Sequence, residues 1–236
     1  MNSDITSIDW FRDLLAQSQL IEDTDPSPIL DWLRLRREHV HQHFKTQLIA
    51  LREVEKWSIQ SDTGNIIHDS GSFFSVIGVR INAGNMREVS SWDQPIMTQK
   101  SGGVLALLCK KSDPQIKFLL QGRVAPGNID GVQIAPTIQS TWSNFEQAHG
   151  GNKPPFAEYV AKEGKGRVVY EADQNEEGGP FWEKVNSTRL ILIDEKDIPN
   201  EELSNAFVWA SLSQIKALSL MDNILSPFVK AIISPL

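Results

Sequence analysis

Apolar residues Ile8, Phe11, Leu14, Leu15 and Leu20 recur at the spacing of one helix face, which predicts an amphipathic helix over 8–20. A second helix is expected from Pro28, a favoured first-turn residue, through Ile29, Leu30, Trp32, Leu33 and Leu35. Acidic, proline-rich residues 22–28 connect the two. Residues 34–43 turn basic and polar, with His39, His41 and His43 alternating. On a strand these histidines would share one face able to hold a metal; on the second helix they form a solvated end, which is the reading adopted.

From residue 54 the pattern changes to short β-branched and aromatic runs at 57–59, 66–67 and 73–81, separated by turn sequences at 61–65 and 69–71. Further strands are expected at 95–99, 104–109, 117–121, 132–138, 167–171 and 190–194, with one short helix at 156–162. The last third returns to helix: a capped start at 199–203, then 212–220 and 223–233. There is no internal repeat and no long linker. The expected fold class is α+β, a mostly antiparallel curved sheet flanked by terminal helices. Residues 1–45 form an N-terminal helical segment and 46–236 a single domain.

Composition narrows the function. The 236-residue chain carries 23 Lys+Arg against 30 Asp+Glu, a net charge of −7, which disfavours nucleic acid or an anionic membrane as partner. Cys109 is the only cysteine, so neither an internal disulfide nor a multi-cysteine zinc site is possible. It lies in the apolar run 104–108 and reads as core. No apolar stretch approaches the ~18 residues of a membrane span, and the N-terminus lacks the features of a secretory signal, so a cytoplasmic protein is expected. Dinucleotide, Walker, nucleophile-elbow and His-Glu-x-x-His patterns are absent. The pairs Gly102-Gly103 and Gly150-Gly151 read as turns.

What stands out is a dense polar run between Gln121 and Asn186. Gln121, Gln139 and Gln174 fall where expected strands would want apolar residues. A buried amide without a partner costs roughly 1–3 kcal/mol, so such residues call for a ligand or a hydrogen-bond network. Converging, they would line a polar pocket suited to a hydroxyl-rich molecule.

These residues also carry a resemblance. Trp92-x-Gln94-Pro-Ile96, Phe118-Leu-Leu-Gln121, Pro126-Gly-Asn128, Pro136-Thr-Ile-Gln139, Ser143-Asn144 and Gln174-x-Glu176-Glu177-Gly178 resemble the NDP-hexose 2,3-dehydratase family of deoxysugar biosynthesis. So do Trp57-Ser and the 63–74 segment before them, and Phe207-x-Trp209, 213–216 and Asp222-Asn223 after. The resemblance implies a Nudix-like fold without Nudix chemistry, since no Glu-rich metal-binding helix motif is present. Known deoxysugar members are tandem duplications. This chain carries one unit, which would restore the pairing as a homodimer, with the apolar C-terminal helices as a plausible surface.

The implied reaction is β-elimination of water from a nucleotide-linked 4-keto-6-deoxyhexose. A base takes the C3 proton, donors hold the enolate oxygen, and an acid protonates the departing C2 hydroxyl. Neither a cofactor nor a metal is needed. Glu176 and Glu177 are the carboxylate candidates, and only one should face the pocket if they lie on a strand. His68 and His149 are the histidine candidates. Gln121, Gln139, Asn144 and Gln174 would orient the substrate, and Trp92 or Trp142 would stack on it. Gln94, Arg123, Asn128, Ser143 and Asn186 complete the expected substrate-binding set.

The chain departs from the family pattern at Ala125, where Glu is usual, at Asn175, where Ser is common, and across 180–187, where an arginine-rich run is reduced to Lys184 and Asn186. Arginines clamp a diphosphate through charge-assisted bonds worth roughly 1.5–3 kcal/mol each. Arg123, Arg167 and Arg189 are the candidates to replace them. Two further readings stay open: a single-unit enzyme acting on a less anionic natural-product intermediate by elimination, cyclisation or isomerisation, and a non-catalytic binding protein.

Overall fold

Residues 104–109 offer no polar position, and a strand so composed must be covered on both faces. The computed structural model, which describes residues 5–21, 23–99, 102–147, 150–161, 163–200 and 203–236, uses it that way. Strand β5 (Gly103–Ser112) is central in a seven-stranded sheet. Its Leu105, Leu107 and Cys109 enter one core with Ile116, Phe118 and Leu120 of β6 (Gln115–Val124). Its Val104, Ala106 and Leu108 enter a second core with Ile191 of β10 (Val185–Ile193), Tyr159 and Phe207. Alternation along the strand assigns successive side chains to opposite faces.

The rest of the sheet comprises β7 (Val132–Pro136), β8 (Ile138–Thr141), β9 (Arg167–Asn175) and β11 (Phe207–Ala210). Pairings are antiparallel except β10 on β5, which is parallel. Helices α1 (Ile5–Gln19), α2 (Ser27–His43), α4 (Leu212–Ser219) and α5 (Pro227–Ile233) cover the first face, contributing Phe11, Leu15, Ile29, Leu33, Ile215 and Ile232 to that core. Helix α3 (Trp142–Phe145) is a single turn.

The α+β architecture is as expected, with several corrections. The expected single sheet is two. Strands β1 (Trp57–Ile59), β2 (Ile66–His68), β3 (Ser75–Asn82) and β4 (Ser91–Thr98) make a separate antiparallel four-stranded sheet, their half-exposed runs pairing with one another and not with the central sheet. Phe73 and Phe74 precede β3 instead of opening it. The expected strand 132–138 breaks into β7 and β8. The helix expected at 156–162 is a 3-10 turn, Ala157–Tyr159. The capped start at 199–203 falls partly on 201–202, outside the described residues, and β11 stands where the return to helix was expected. The C-terminal caps are Ser211, in a capping box with Gln214, and Ser226 before Pro227. Gly103 is no turn residue but the first of β5: a Cβ there would lie 2.7 Å from Asn186 Oδ1 and 3.0 Å from the Ser140 carbonyl. The three histidines sit on α2, where His39 and His43 stack one turn apart at 4.8 Å; a strand-type metal face does not form. Cys109 is fully buried, and burial pushes its thiol pKa far up, which suits a core residue.

Candidate functional site

Strands β5 and β6 pair directly from Leu108↔Leu119 to Ser112↔Gln115. Beyond Leu108 they separate, β5 pairing with β8 and β6 with β7. Thr137, between β7 and β8, stands at the apex of this fork. Its hydroxyl accepts from the Leu108 N–H at 2.9 Å and donates to the Leu119 carbonyl at 2.5 Å, so it replaces the ladder bond that the separation removes. The fork leaves room between its arms, and that room is a cavity lined by polar side chains.

The cavity has two adjoining lobes. One, about 370 Å³, is lined by Gln121 and Arg123 of β6, Thr137, Gln139 and Ser140 of β8, Asn144 of α3, and residues 152–155. The other, about 200 Å³, shares Arg123, Gln139, Ser140 and Asn144 and adds Gly103, Glu176, Lys184, Asn186 and Phe228. Amide and carboxylate side chains from distant stretches therefore meet in one place.

One buried group here lacks a hydrogen-bond partner, and one half-buried cation lacks a counter-charge. Gln121 Oε1 is buried with no hydrogen-bond partner. Arg123 has no carboxylate partner among the described residues, and burial lowers its pKa from the usual value, although a guanidinium stays charged. An unmet acceptor and an unpaired cation are complementary to a ligand that brings a donor and an anionic group.

The second lobe brings a carboxylate, an ammonium and an amide together. Glu176 Oε2 accepts from Asn186 Nδ2 at 2.5 Å and lies 3.3 Å from Lys184 Nζ. The two charged side chains are only 12–13% exposed. Both donors meet Oε2, so Oε1 is the oxygen left to take a proton. The backbone joins the pair as well, the Glu176 N–H donating to the Lys184 carbonyl at 2.8 Å. Glu177, the adjacent residue, is exposed and does not line the cavity.

Other expected site residues lie outside it. His68, on β2, meets Ser70, Trp57 and Phe73 in an aromatic cluster of the four-stranded sheet. His149 lies outside the described residues. Trp92 Nε1 donates to Gln94 Oε1, and Gln94 Nε2 donates to the Gly179 carbonyl. Asn128 Nδ2 donates to the Arg123 carbonyl and closes the turn between β6 and β7; Ala125 opens that turn. Trp142 packs on Phe145, and Ser143 bonds the hydroxyl of Thr141, which lines the second lobe, without lining it itself. Gln174 meets Thr188 at 3.5 Å. Arg189 pairs with Glu171, and Arg167 stacks on Trp10, so of the three candidate replacement arginines only Arg123 lines the cavity.

Sequence reasoning missed Lys184, Lys153, Ser140 and Thr137 as site residues. Lys184 was visible as the remnant of a basic run, but its register opposite Glu176 depends on closure of the 176–184 turn. A third cavity, about 470 Å³, lies on the four-stranded sheet among Leu51, Val54, Trp57, Ile59, Ile66, Phe74 and Val76. It contains no carboxylate or histidine to move a proton.

The profile of the NDP-hexose 2,3-dehydratase family matches residues 27–236. A dTDP-4-dehydro-6-deoxy-alpha-D-glucopyranose 2,3-dehydratase of Saccharopolyspora spinosa is 34% identical over 191 residues, 81% of this chain and 38% of that protein. One of the same description from Amycolatopsis orientalis is 32% identical over 210 residues, 86% of this chain and 43% of that one. The chain thus spans less than half the length of these curated relatives. Among solved structures it is similar to an ADP compounds hydrolase (12% identity, TM-score 0.44, 69% of this chain and 84% of that one). A C. elegans Ap4A hydrolase gives 14% identity and a TM-score of 0.35 over 57% of this chain and 94% of that one. Scores at this level carry no argument about chemistry.

Proposed function

Because the chain belongs to the NDP-hexose 2,3-dehydratase family, we propose that its forked cavity binds a nucleotide-linked 4-keto-6-deoxyhexose and eliminates water across C2 and C3. The observation that carries this reading is the Glu176–Lys184–Asn186 group sharing one cavity with the unpaired Arg123. Glu176 Oε1 takes the C3 proton, which the C4 carbonyl acidifies. Side-chain donors around the lobe, Asn144 among them, hold the enolate oxygen. Lys184 supplies a proton to the departing C2 hydroxyl, which leaves as water, and the pair resets by transfer from Glu176 to Lys184. The enol product tautomerises to a 3,4-diketo sugar. These steps use only side chains that line the cavity.

The test is turnover of dTDP-4-keto-6-deoxyglucose together with calorimetry of dTDP. The reading requires water loss and measurable dTDP affinity; no binding at millimolar ligand would overturn it. Arg123→Met is expected to weaken dTDP binding about 10- to 100-fold, the loss of one or two charge-assisted bonds in a desolvated site. It should also flatten the salt dependence of binding.

A second reading is favoured by one observation: the 180–187 segment contributes Lys184 as its only cation, and Glu176 already neutralises it. With Arg123 and the exposed Lys153 as its other lining cations, the cavity suits a less anionic natural-product intermediate, transformed or merely bound. Arg123→Met leaving ligand affinity unchanged would support that reading over the first.

We also propose that two copies of the chain pair through an apolar patch at the four-stranded sheet, where Ile59 of β1 and the flanking Leu51, Phe73 and Phe74 are exposed. The C-terminal helices are a poorer surface, since Leu212, Ile215, Leu218, Val229 and Ile232 are buried in the core. Sedimentation equilibrium should give a dimer that Ile59→Lys dissociates. A monomer at all concentrations would refute pairing.

A further inference from the structure

The carboxylate and ammonium of the cavity stand at the two ends of one turn, and that turn has little structure of its own. Residues 176–184 connect β9 to β10 and include Gly178-Gly179-Pro180. Consecutive glycines lose much conformational freedom on ordering, so such a segment is positioned by what it docks against. The bond from the Glu176 N–H to the Lys184 carbonyl closes its base. Its tip is held from outside. The Met97 N–H donates to the Pro180 carbonyl at 2.8 Å, the Trp182 N–H donates to the Met97 carbonyl at 2.8 Å, and Met97 bridges Phe181 in parallel. Gln94 Nε2 adds a side-chain bond to the Gly179 carbonyl at 2.9 Å. Phe181 in turn lies under Lys184, its ring centre 4.7 Å from Nζ.

Among the described residues, the hydrogen bonds that hold the tip from outside come from β4, the strand of the four-stranded sheet that otherwise takes no part in the cavity. The half-buried Gln94 amide is itself oriented, because Trp92 Nε1 donates to its Oε1 at 2.8 Å and so fixes which end faces Gly179. We propose that Gln94, oriented by Trp92, is a positioning residue: β4 clasps the 176–184 turn and thereby sets the geometry of Glu176 against Lys184. This rests on the proton-transfer role given to that pair. It assigns to the second sheet a task in the reaction, and to the Trp92-x-Gln94 motif a role one step removed from substrate. Met97 supplies backbone bonds alone, so Gln94 and Trp92 are the positions where a side-chain change can loosen the clasp without altering the strand.

The test compares the unaltered chain with Gln94→Ala, Trp92→Phe and, as a control on the same sheet, Arg80→Ala, which removes the exposed Arg80–Asp93 pair. Amide hydrogen exchange in 176–184 should rise about tenfold in Gln94→Ala, the worth of one hydrogen bond. It should rise less in Trp92→Phe and not at all in Arg80→Ala. In turnover, Gln94→Ala should lower kcat about tenfold with KM changing less than about twofold, because positioning of the reacting groups and not ligand affinity is lost. Unchanged exchange in 176–184, or a rise spread evenly over the chain, would overturn the clasp. Should the unaltered chain turn nothing over, the reaction proposed above falls, while the exchange measurements still decide the clasp.

Discussion

Glu176→Gln should lower kcat by about 10²- to 10⁴-fold, the usual contribution of a positioned acid or base, while dTDP affinity changes little. The substitution keeps the shape of the side chain but removes its capacity to accept the C3 proton. It also leaves the Lys184 ammonium without its counter-charge in a site only 13% exposed, so some loss of stability should accompany it. Glu177→Gln is the internal control: its exposed side chain does not line the cavity, and turnover should stay within about twofold, as for other surface positions. Steady-state turnover with calorimetry on the same variants separates the readings. Full activity in Glu176→Gln would remove the carboxylate from the mechanism. Ligand binding without turnover in the unaltered chain would favour the binding protein.

Thr137→Val should destabilise the fold by roughly 2–5 kcal/mol, measured by denaturant unfolding. Valine fills the same volume but satisfies neither the Leu108 N–H nor the Leu119 carbonyl, both buried at the apex of the fork. Thr137→Ser, which keeps the hydroxyl, should cost less than about 1.5 kcal/mol, a lost methyl group. A valine variant as stable as the parent would show that the strands close the fork by themselves, and the cavity would then need another explanation.

The run 104–109 announces a strand buried on both sides, because no polar residue interrupts it. Pro28 announces the start of the second helix, because proline suits the first turn. Gln121 and Gln139 were legible as site residues for a physical reason too: an amide inside an apolar strand needs a partner, and both line the cavity. Lys184 was not legible, since nothing in its local sequence says that it faces Glu176. Trp92 and Gln94 were expected to bind substrate; they lie outside the cavity, and their bonds to each other and to the Gly179 carbonyl were not legible.

Local sequence therefore determined the elements that burial patterns and caps dictate, the inert Cys109, and a set of amides that must find partners. Only the tertiary structure decided where strands β5 and β6 part, which of two neighbouring glutamates faces inward, and that a separate sheet holds the turn bearing Glu176 and Lys184. The reason is one of range. Periodicity and capping act between residues a few positions apart, whereas the fork, the ion pair and the clasp join groups that come together only when the cores close around them.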